Sequence, residues 1–347
     1  MYLCPGLHNK LSNNFMHLYT KKQAIERMNN LGKLQRPFIF IINYAQDASY
    51  IEEESAVDPS EILYDFNGYT NQSSLEAGGM ISISEEPLHW KSFPNSFASY
   101  QRSFGIVQQN ILAGNSFLTN LTCRTLVETN LDLKEIYDRS KAIYKLWVKD
   151  AFTVFSPEIF IKIQQGRIHS YPMKGTIDAT IPSATQKLID DPKEAAEHAT
   201  IVDLIRNDLS MVAEKVSVSR YRYIDKLHTN QGTILQTSSE IEGVLPEDYQ
   251  QNLGNIVFRL LPAGSITGAP KKKTMEIISE AETYERGFYT GIMGYYDGRV
   301  LDSAVMIRFI EEESGKKYFK SGGGITCQSD AESEYNEMKQ KVYVPIY

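Results

Sequence analysis

The chain has 347 residues, of which 42% are hydrophobic and 23% charged, and its formal net charge at pH 7 is -7. This composition is typical of a soluble globular protein, and a chain of this length can bury a large core without disulfides. The negative balance argues against a nucleic-acid partner, which needs a clustered basic face. It is compatible with an anionic small molecule held by a few local cations.

Cysteine spacing and the hydrophobic runs indicate the cellular setting. Cys4, Cys123 and Cys327 are widely separated and form neither a metal-binding spacing nor a disulfide framework, so we interpret them as buried thiols of a reducing cytoplasm. The longest apolar run, 38–42, is far too short to span a bilayer. The N-terminus lacks the hydrophobic segment of a signal peptide. A cytoplasmic protein without a membrane partner is expected.

The predicted elements alternate antiparallel hairpins with helices. We interpret 1–15 as an irregular extension and 16–95 as a short N-terminal part with a helix (21–31), a buried strand (37–44) and an acidic, mobile loop (52–61). Helices are predicted over 96–112, 132–143, 192–207, 248–260, 270–281 and 331–342. Strands are predicted over 116–123, 151–155, 158–164, 167–171, 216–223, 233–241, 291–296, 300–310 and 317–321. This order, without a flexible linker, favours one α+β domain over 1–347, with its catalytic core at 96–344.

The loop 172–176, Pro-Met-Lys-Gly-Thr, contains the lysine that carries most information. It follows the predicted strand 167–171 and precedes a helical run that begins near Ala184. A lysine in a loop is usually a solvated surface charge, but Lys174 comes sixteen residues after Glu158 in a Ser-Pro-Glu turn. A nucleophilic amine with a carboxylic acid on the same chain favours substitution chemistry.

Two glycine-rich segments are candidate anion-binding elements. The segment 264–271 contains Thr267 and Gly268 and opens a helix, whose free N–H groups attract anions. An ordinary glycine-rich turn is an equally good interpretation of it. Gly322–Gly324 follow a strand and let the backbone approach a ligand closely, although a flexible turn is the commoner role.

Several charged residues complete the candidate set. Arg308 lies in a predicted apolar strand, where it needs either a structural ion pair or a substrate carboxylate. Glu334, Glu337 and Lys341 share one face of the last helix, so that the two carboxylates could hold Mg²⁺ or simply form a solvated face. Glu197 borders the apolar stripe of the helix 192–207 and can reach an interior site. We interpret its neighbour His198 as a packed side chain.

Taken together, these segments resemble the chorismate-utilising enzymes over about 96–344. The resemblance rests on SPE at 156–158, PMKGT at 172–176, IVDLIRNDLS at 201–210, GSITGAPK at 264–271, GFYTGIMGYY at 287–296, MIR at 306–308, and GGGIT with its Glu-x-x-Glu at 322–337. It implies the family fold, a large antiparallel two-sheet sandwich flanked by helices, with the active site between the sheets.

Two positions separate the members of this family by their chemistry. Members that add water to chorismate carry a lysine base where this chain has Leu118, and leucine cannot activate water. Anthranilate-forming members usually carry alanine where this chain has Lys174. The chain therefore resembles the aminodeoxychorismate synthases most, with anthranilate formation and an inactive binding subunit as the alternatives.

The resemblance also implies roles for individual residues. Lys174 would attack the chorismate ring as a neutral nucleophile, and Glu158, with a raised pKa, would protonate the leaving hydroxyl. Substrate contacts are implied for Arg308, Tyr295, Thr267, Gly268, Gly322, Gly323, Gly324 and Lys341. Ligation of the cofactor Mg²⁺ is implied for Glu197, Glu334 and Glu337.

The implied reaction inserts nitrogen at C4 of chorismate, on the way to para-aminobenzoate and folate, and so needs ammonia. No cysteine lies in a Gly-x-Cys-x-Gly turn, so the chain contains no glutaminase of its own. The resemblance implies a separate glutamine amidotransferase subunit as partner. Gln236 stands where many relatives have a histidine. The short N-terminal part has no recognisable tryptophan-binding segment, so feedback inhibition by tryptophan is not expected.

Overall fold

Two nine-stranded antiparallel sheets and the helices on their outer faces form the fold, in a computed structural model that describes residues 17–72, 88–229 and 232–346. The helices are α1 (Lys21–Lys33), α2 (Phe97–Leu112), α3 (Leu133–Arg139), α4 (Ala184–Asp190), α5 (Pro192–Leu209), α6 (Leu253–Leu260), α7 (Lys271–Ala281) and α8 (Ala331–Gln340). The predicted extension 1–15 and Cys4 lie outside the described residues.

The strands are numbered in chain order. They are β1 (Phe38–Ile42), β2 (Ser49–Glu53), β3 (Ile62–Phe66), β4 (Tyr69–Thr70), β5 (Trp90–Phe93), β6 (Leu118–Thr129), β7 (Tyr144–Val148), β8 (Phe152–Ser156), β9 (Ile159–Gln164), β10 (Arg167–Ser170), β11 (Met173–Asp178), β12 (Glu214–Thr229), β13 (Gly232–Val244), β14 (Gly268–Ala269), β15 (Ile292–Tyr296), β16 (Leu301–Val305), β17 (Phe309–Glu313) and β18 (Lys316–Ile325).

Strand order shows how distant segments meet. The first sheet runs β11-β13-β10-β9-β16-β15-β1-β2, with β12 paired to β13. The second runs β14-β6-β18-β17-β8-β7-β3-β4, with β5 paired to β6. Several connections pass from one sheet to the other. The connection from β8 to β9 carries Glu158, and the connection from β16 to β17 carries Arg308.

The first strand shows why the two sheets pack face to face. Every residue of β1 is buried, and alternate side chains of a strand point to opposite faces. Ile39 and Ile41 pack against second-sheet residues such as Tyr64 and Phe152. Phe38 and Phe40 pack on the other face, in a cluster that includes Met28 of α1 and Ile205 of α5. The predicted α+β two-sheet sandwich flanked by helices is confirmed.

Helices also cover the outer face of the second sheet. Ile136 and Tyr137 of α3 pack against Trp147 and Phe319. A further cluster joins α2, α7 and α8 to β6 and β18. Ser96 caps α2 by accepting a hydrogen bond from the Ser99 N–H, at the predicted helix start. Among the described residues, each helix is too short or too polar to cross a bilayer.

Helices were predicted more accurately than the strands and loops near the cleft. The single strand predicted over 300–310 is wrong, because it is divided into β16 and β17. Lys174 lies on a strand rather than in a loop, and Gly322–Gly324 lie within β18 rather than after it. The start of the acidic stretch 52–61 belongs to β2 and a short 3₁₀ turn.

The thiols differ from one another. Cys123 is buried as predicted, and burial raises its pKa to about 12. Cys327 is exposed, so the prediction of a buried thiol there is wrong. It follows the glycine-rich end of β18, where the chain turns towards α8.

Candidate active site

Three cations surround the carboxyl group of Glu158 where β8 passes into β9. Lys174 comes from β11, Arg308 from the link between β16 and β17, and Lys341 from the end of α8, and each favours the charged form of Glu158. Burial has the larger, opposite effect and raises the pKa of Glu158 above its usual range. The raised pKa that a general acid needs at Glu158 is confirmed in direction.

Ser265 holds the carboxyl group of Glu158 in place. Its hydroxyl donates to Oε1 of Glu158 at 2.5 Å, from a 3₁₀ turn at Gly264–Ile266. This hydrogen bond favours the carboxylate and so opposes the effect of burial. The role of Ser265 was not predicted from the sequence, because a serine in a glycine-rich turn has no distinctive spacing relative to Glu158.

Lys174, Leu118 and Gly324 meet at one wall of the cleft. Nζ of Lys174 lies 3.9 Å, and Cδ1 of Leu118 3.0 Å, from the position that a Cβ atom on Gly324 would occupy. Gly324 therefore leaves open the space beside the amine. Within the described parts of the chain, the Lys174 amine takes part in no hydrogen bond or ion pair, so nothing there competes with a substrate for it.

The backbone fixes the direction of the Lys174 side chain. The pairing of β11 with β13 shifts register between Lys174 and Thr176, and Thr237 donates its hydroxyl hydrogen to the Lys174 carbonyl. Gly175, at the shift, has a φ of 60°, and a Cβ there would lie 2.8 Å from Glu194 of α5. Gln236 of β13 is paired with Thr176.

Helix α5 approaches Lys174 from the other side. His198 is fully buried, as predicted, and its Nε2 is hydrogen-bonded to Ser239 Oγ at 2.6 Å. Burial, followed by the positive charges of Arg222 and Lys174, lowers the pKa of His198 to about 4. A neutral histidine therefore lies beside the amine. Glu197, one residue earlier, is half-buried.

Arg308 occupies the bend where the chain leaves the first sheet for the second. Its φ is 54°, a left-handed conformation that is uncommon for residues other than glycine and is frequent at functional sites. The sequence analysis placed it inside a strand, which is wrong. No described carboxylate lies within ion-pair distance of its guanidinium group, which faces the ring of Tyr343 at 5.5 Å. The cleft thus contains a cation available to an anion.

Tyr289, rather than Tyr295, is the tyrosine near Arg308. The positive charges of Arg286 and Arg308 both act on the buried hydroxyl of Tyr289, while burial raises its pKa. The hydroxyl of Tyr295 instead donates to Glu54 at 2.9 Å, and its ring packs against Tyr69. The structure therefore places the predicted substrate contact Tyr295 outside this cluster. The sequence pattern around Tyr295 does not reveal its contact with Glu54.

The triple glycine forms the floor of the cleft. Gly322–Gly324 pair with Thr122, Leu121 and Asn120 of β6. A Cβ on Gly323 would lie 3.4 Å from Oε2 of Glu334 and within 3.8 Å of Glu337 Oε1 and Lys341 Nζ. Lys341 donates to the Gly322 carbonyl at 2.9 Å and to Glu337 at 2.7 Å. The last helix is thereby held against the strand.

Two of the predicted Mg²⁺ ligands thus converge at Gly323. Glu334 is buried and accepts the Ser329 hydroxyl at 2.8 Å on Oε1, while its Oε2 is the atom near Gly323. Carboxylate oxygens are suitable donors for a hard divalent cation. In the described residues, however, no three acidic, histidine or cysteine side chains are arranged as a metal site. The donor chemistry fits Mg²⁺, and the complete set with Glu197 stays a prediction.

Thr267 and Gly268 close the cleft beside β6. Thr267 is fully buried, and its hydroxyl faces the hydroxyl of Tyr44. Gly268 has a φ of 117°, and a Cβ there would lie 1.9 Å from the carbonyl oxygen of Leu118. Helix α7 begins at Lys271, one residue after its predicted start, and β14 separates it from the turn at Gly264–Ile266.

A cavity of about 90 Å³ extends behind Glu158 and Lys174. Glu158, Lys174 and Ser265 line one end, Asp208 lies in its wall, and Ile201 and Ile205 of α5 contribute apolar surface. Arg308 and the triple glycine do not line it. Arg308 and the triple glycine therefore belong to a part of the cleft outside this cavity.

Comparison with known proteins is consistent with this geometry. The model of the chorismate binding enzyme family matches residues 14–346. The chain belongs to the chorismate binding enzyme family. Its relatives in this family include an uncharacterized PabA-like protein of Haemophilus influenzae, which is 48% identical over 94% of this chain and 98% of its own length.

Named synthases of the family are more distant. Aminodeoxychorismate synthase component 1 of Salmonella typhimurium is 32% identical over 70% of this chain and 56% of its own length. The crystal structure of anthranilate synthase component I from Streptococcus pneumoniae superposes with a TM-score of 0.62 at 27% identity, covering 74% of this chain and 59% of that one. The chain thus spans little more than half the length of these synthases.

Proposed function

We propose that this chain is an aminodeoxychorismate synthase that replaces the C4 hydroxyl of chorismate with an amino group through a covalent bond to Lys174. Membership of the chorismate binding enzyme family supports chorismate as the substrate. Relatives that carry the names aminodeoxychorismate synthase and anthranilate synthase make the position of nitrogen insertion the decisive question.

The amine of Lys174 in the cleft is the observation that carries this proposal. It lies beside Gly324 and Leu118 and acts electrostatically on Glu158, so that a nucleophile and an acid share one site. Leu118 supplies no base at this wall. A site with an amine and an acid, but no base for water, favours displacement of the hydroxyl by an amine.

The chemistry proceeds in two balanced displacements. The neutral Lys174 amine bonds to C2, both ring double bonds shift, and the C4 hydroxyl leaves as water with the proton of Glu158. Ammonia then bonds to C4, both double bonds shift back, and the lysine nitrogen leaves C2. The proton lost by the nitrogen nucleophiles restores Glu158 to its acid form. Two allylic displacements replace one difficult substitution and direct nitrogen to C4 rather than C2.

Cations in the cleft match the two carboxylates of chorismate. Arg308 and Lys341 lie near Glu158, and Thr267 adds a buried hydroxyl at the adjoining turn. Mg²⁺, when bound, would neutralise a carboxylate of the substrate. Glu334 and Glu337, with Glu197 on α5, are the side chains proposed to hold it.

Ammonia is proposed to come from a separate glutamine amidotransferase subunit, since this chain has no cysteine nucleophile turn. Ammonium salts at high concentration and high pH should replace that subunit in vitro, because they supply free ammonia. This permits the reaction to be tested on the chain alone.

The experiment is product analysis with chorismate, Mg²⁺ and ammonium salt. The account predicts 4-amino-4-deoxychorismate with no release of pyruvate. Lys174→Ala should abolish that product or divert nitrogen to C2 and yield an anthranilate-like product. Lys187→Ala, which removes an exposed lysine of the neighbouring helix α4, is the matched control and should behave like the wild type.

Three results would contradict the proposed reaction or its covalent route. Fluorescent anthranilate with pyruvate from the wild type would assign it to the anthranilate reaction. No consumption of chorismate would indicate a binding subunit that has kept the fold. Undiminished amination at C4 by Lys174→Ala would exclude the covalent route while leaving the reaction itself in place.

A further inference from the structure

Arg286 is a buried cation that the reaction itself does not use. It is 3% exposed and lies just before the Tyr289 bend, between α7 and β15. Its guanidinium group uses all five N–H donors on acceptors from four segments of the chain. A side chain with so many fixed partners determines the relative positions of the groups that it joins.

The bonds of Arg286 reach strand β6 and the 3₁₀ turn that border the cleft. Two go to the Ile266 carbonyl at 2.9 Å and the Asn120 carbonyl at 2.6 Å. Asn120 in turn donates its N–H to the Thr267 carbonyl at 2.9 Å. Arg286 therefore contacts both the turn that precedes Thr267 and β6, the strand paired with Gly324, at the place where these two segments meet.

A third bond goes to the Thr290 hydroxyl at 3.3 Å, next to Tyr289. Thr290 has a φ of 60°, and its hydroxyl donates to the Tyr289 carbonyl at 2.6 Å. The same guanidinium group thus restrains the bend that places Tyr289 near Arg308.

The other two donors pair with the buried carboxylate of Glu282, at 2.9 Å from Nε and 2.7 Å from one terminal nitrogen. Glu282 also accepts the N–H and the hydroxyl of Thr122, at 2.9 and 2.7 Å. Thr122 is paired with Gly322 in the sheet. Through Asn120 and Thr122, the Arg286–Glu282 ion pair is therefore connected to Gly324 and Gly322, the two ends of the triple glycine.

We propose that the Arg286–Glu282 pair is a positioning device for the substrate-carboxylate cradle formed by Thr267, Gly322–Gly324 and Tyr289. The inference rests on the proposed use of chorismate. Neither side chain touches the substrate; the pair holds the three cradle segments at the separation that a dianion requires. A lysine in place of Arg286 keeps the charge opposite Glu282 but has only three donors, so it cannot satisfy all the acceptors.

The test compares Arg286→Lys and Thr290→Val with the wild type in steady-state kinetics and in calorimetric titration of chorismate with Mg²⁺. Arg124→Lys is the control, because Arg124 pairs with Glu313 at 2.5 Å on a partly exposed strand of the same sheet. We expect Arg286→Lys to raise the chorismate KM and Kd about tenfold or more, and Thr290→Val to raise them about threefold. The lost contacts hold the substrate and the transition state equally, so their loss raises KM rather than lowering kcat.

A purely structural role would reduce the folded fraction, and so lower kcat without moving KM. A KM and Kd within about twofold of the wild type in Arg286→Lys would overturn the proposal. If Arg286→Lys does not fold, the KM and Kd of Thr290→Val are compared with the wild type by the same twofold limit. If the wild type makes anthranilate, the proposed reaction is refuted, but the KM and Kd of the variants still test the positioning role of Arg286. A wild type that neither converts nor binds chorismate would overturn both.

Discussion

Replacing Ser265 by alanine is the most direct perturbation of the proposed general acid. In the structure, the Ser265 hydroxyl donates to Glu158 at 2.5 Å, and this bond favours the carboxylate over the protonated acid. When Glu158 gives its proton to the leaving hydroxyl, a carboxylate forms in a buried site, and the serine stabilises it. Ser265→Ala removes that stabilisation while leaving Glu158 and Lys174 in place.

The expected size of the effect follows from the type of bond. A hydrogen bond to a charged group contributes about 1.5–3 kcal/mol, and each 1.4 kcal/mol corresponds to a factor of about ten in rate. We therefore expect kcat of Ser265→Ala to fall about 10- to 100-fold. KM for chorismate should change little, because the bond strengthens only as the proton is transferred.

The pH profile provides a second measurement on the same variant. Glu158 must be protonated to act, so activity is present below its pKa and is lost as the pH rises through it. Removing the hydroxyl raises that pKa further, so the alkaline fall in kcat should move to higher pH. Ser265→Thr, which keeps a hydroxyl, is the control and should retain both rate and profile. An unchanged kcat and profile in Ser265→Ala would refute the role given to this bond.

Three further predictions concern stability and metal binding. Glu158→Gln should raise the free energy of unfolding at neutral pH and have no such effect at pH 3, because the folded state, in which the pKa is raised, binds this proton more tightly than the unfolded state; equal unfolding free energies at pH 7 would contradict it. Gly268→Ala should destabilise by about 3 kcal/mol in urea unfolding, since its Cβ would strike the Leu118 carbonyl, whereas Gly105→Ala in α2, which has open space, should be neutral or stabilising. Glu337→Gln should weaken the Mg²⁺ dependence of turnover, and an unchanged Mg²⁺ titration would remove Glu337 from the ligand set.

The sequence predicts the helices well because their signals are local. The serine cap at Ser96 and the apolar stripe that includes Ile201 and Ile205 lie within a few turns of the structure they specify. The strands near the cleft depend on partners far away in the chain. Lys174 looks like a loop residue because its strand is polar and half-exposed, and only β13 makes it a strand.

Residues of the site could be predicted where a sequence motif identifies them, and could not be predicted where their role depends on packing. Glu158, Lys174, Arg308 and Lys341 were all singled out in the sequence, and their charges meet at Glu158. The bend at Arg308 was missed, since its apolar neighbours continue the strand pattern on both sides.

Supporting residues were not predictable from the sequence alone. Ser265 and Tyr289 acquire their roles from contacts across the cleft, with Glu158 and with the charge of Arg308. Tyr295 occupies a similar sequence environment to Tyr289, but its strand directs it to Glu54. Only the three-dimensional arrangement distinguishes the two tyrosines.

Mass spectrometry of the protein incubated with chorismate and Mg²⁺, and without ammonia, tests the central claim most directly. The account predicts a protein heavier by one chorismate less one water, with the added mass on the peptide that contains Lys174 and absent in Lys174→Ala. An unmodified Lys174 in protein that then aminates chorismate at C4 when ammonium is added would contradict it.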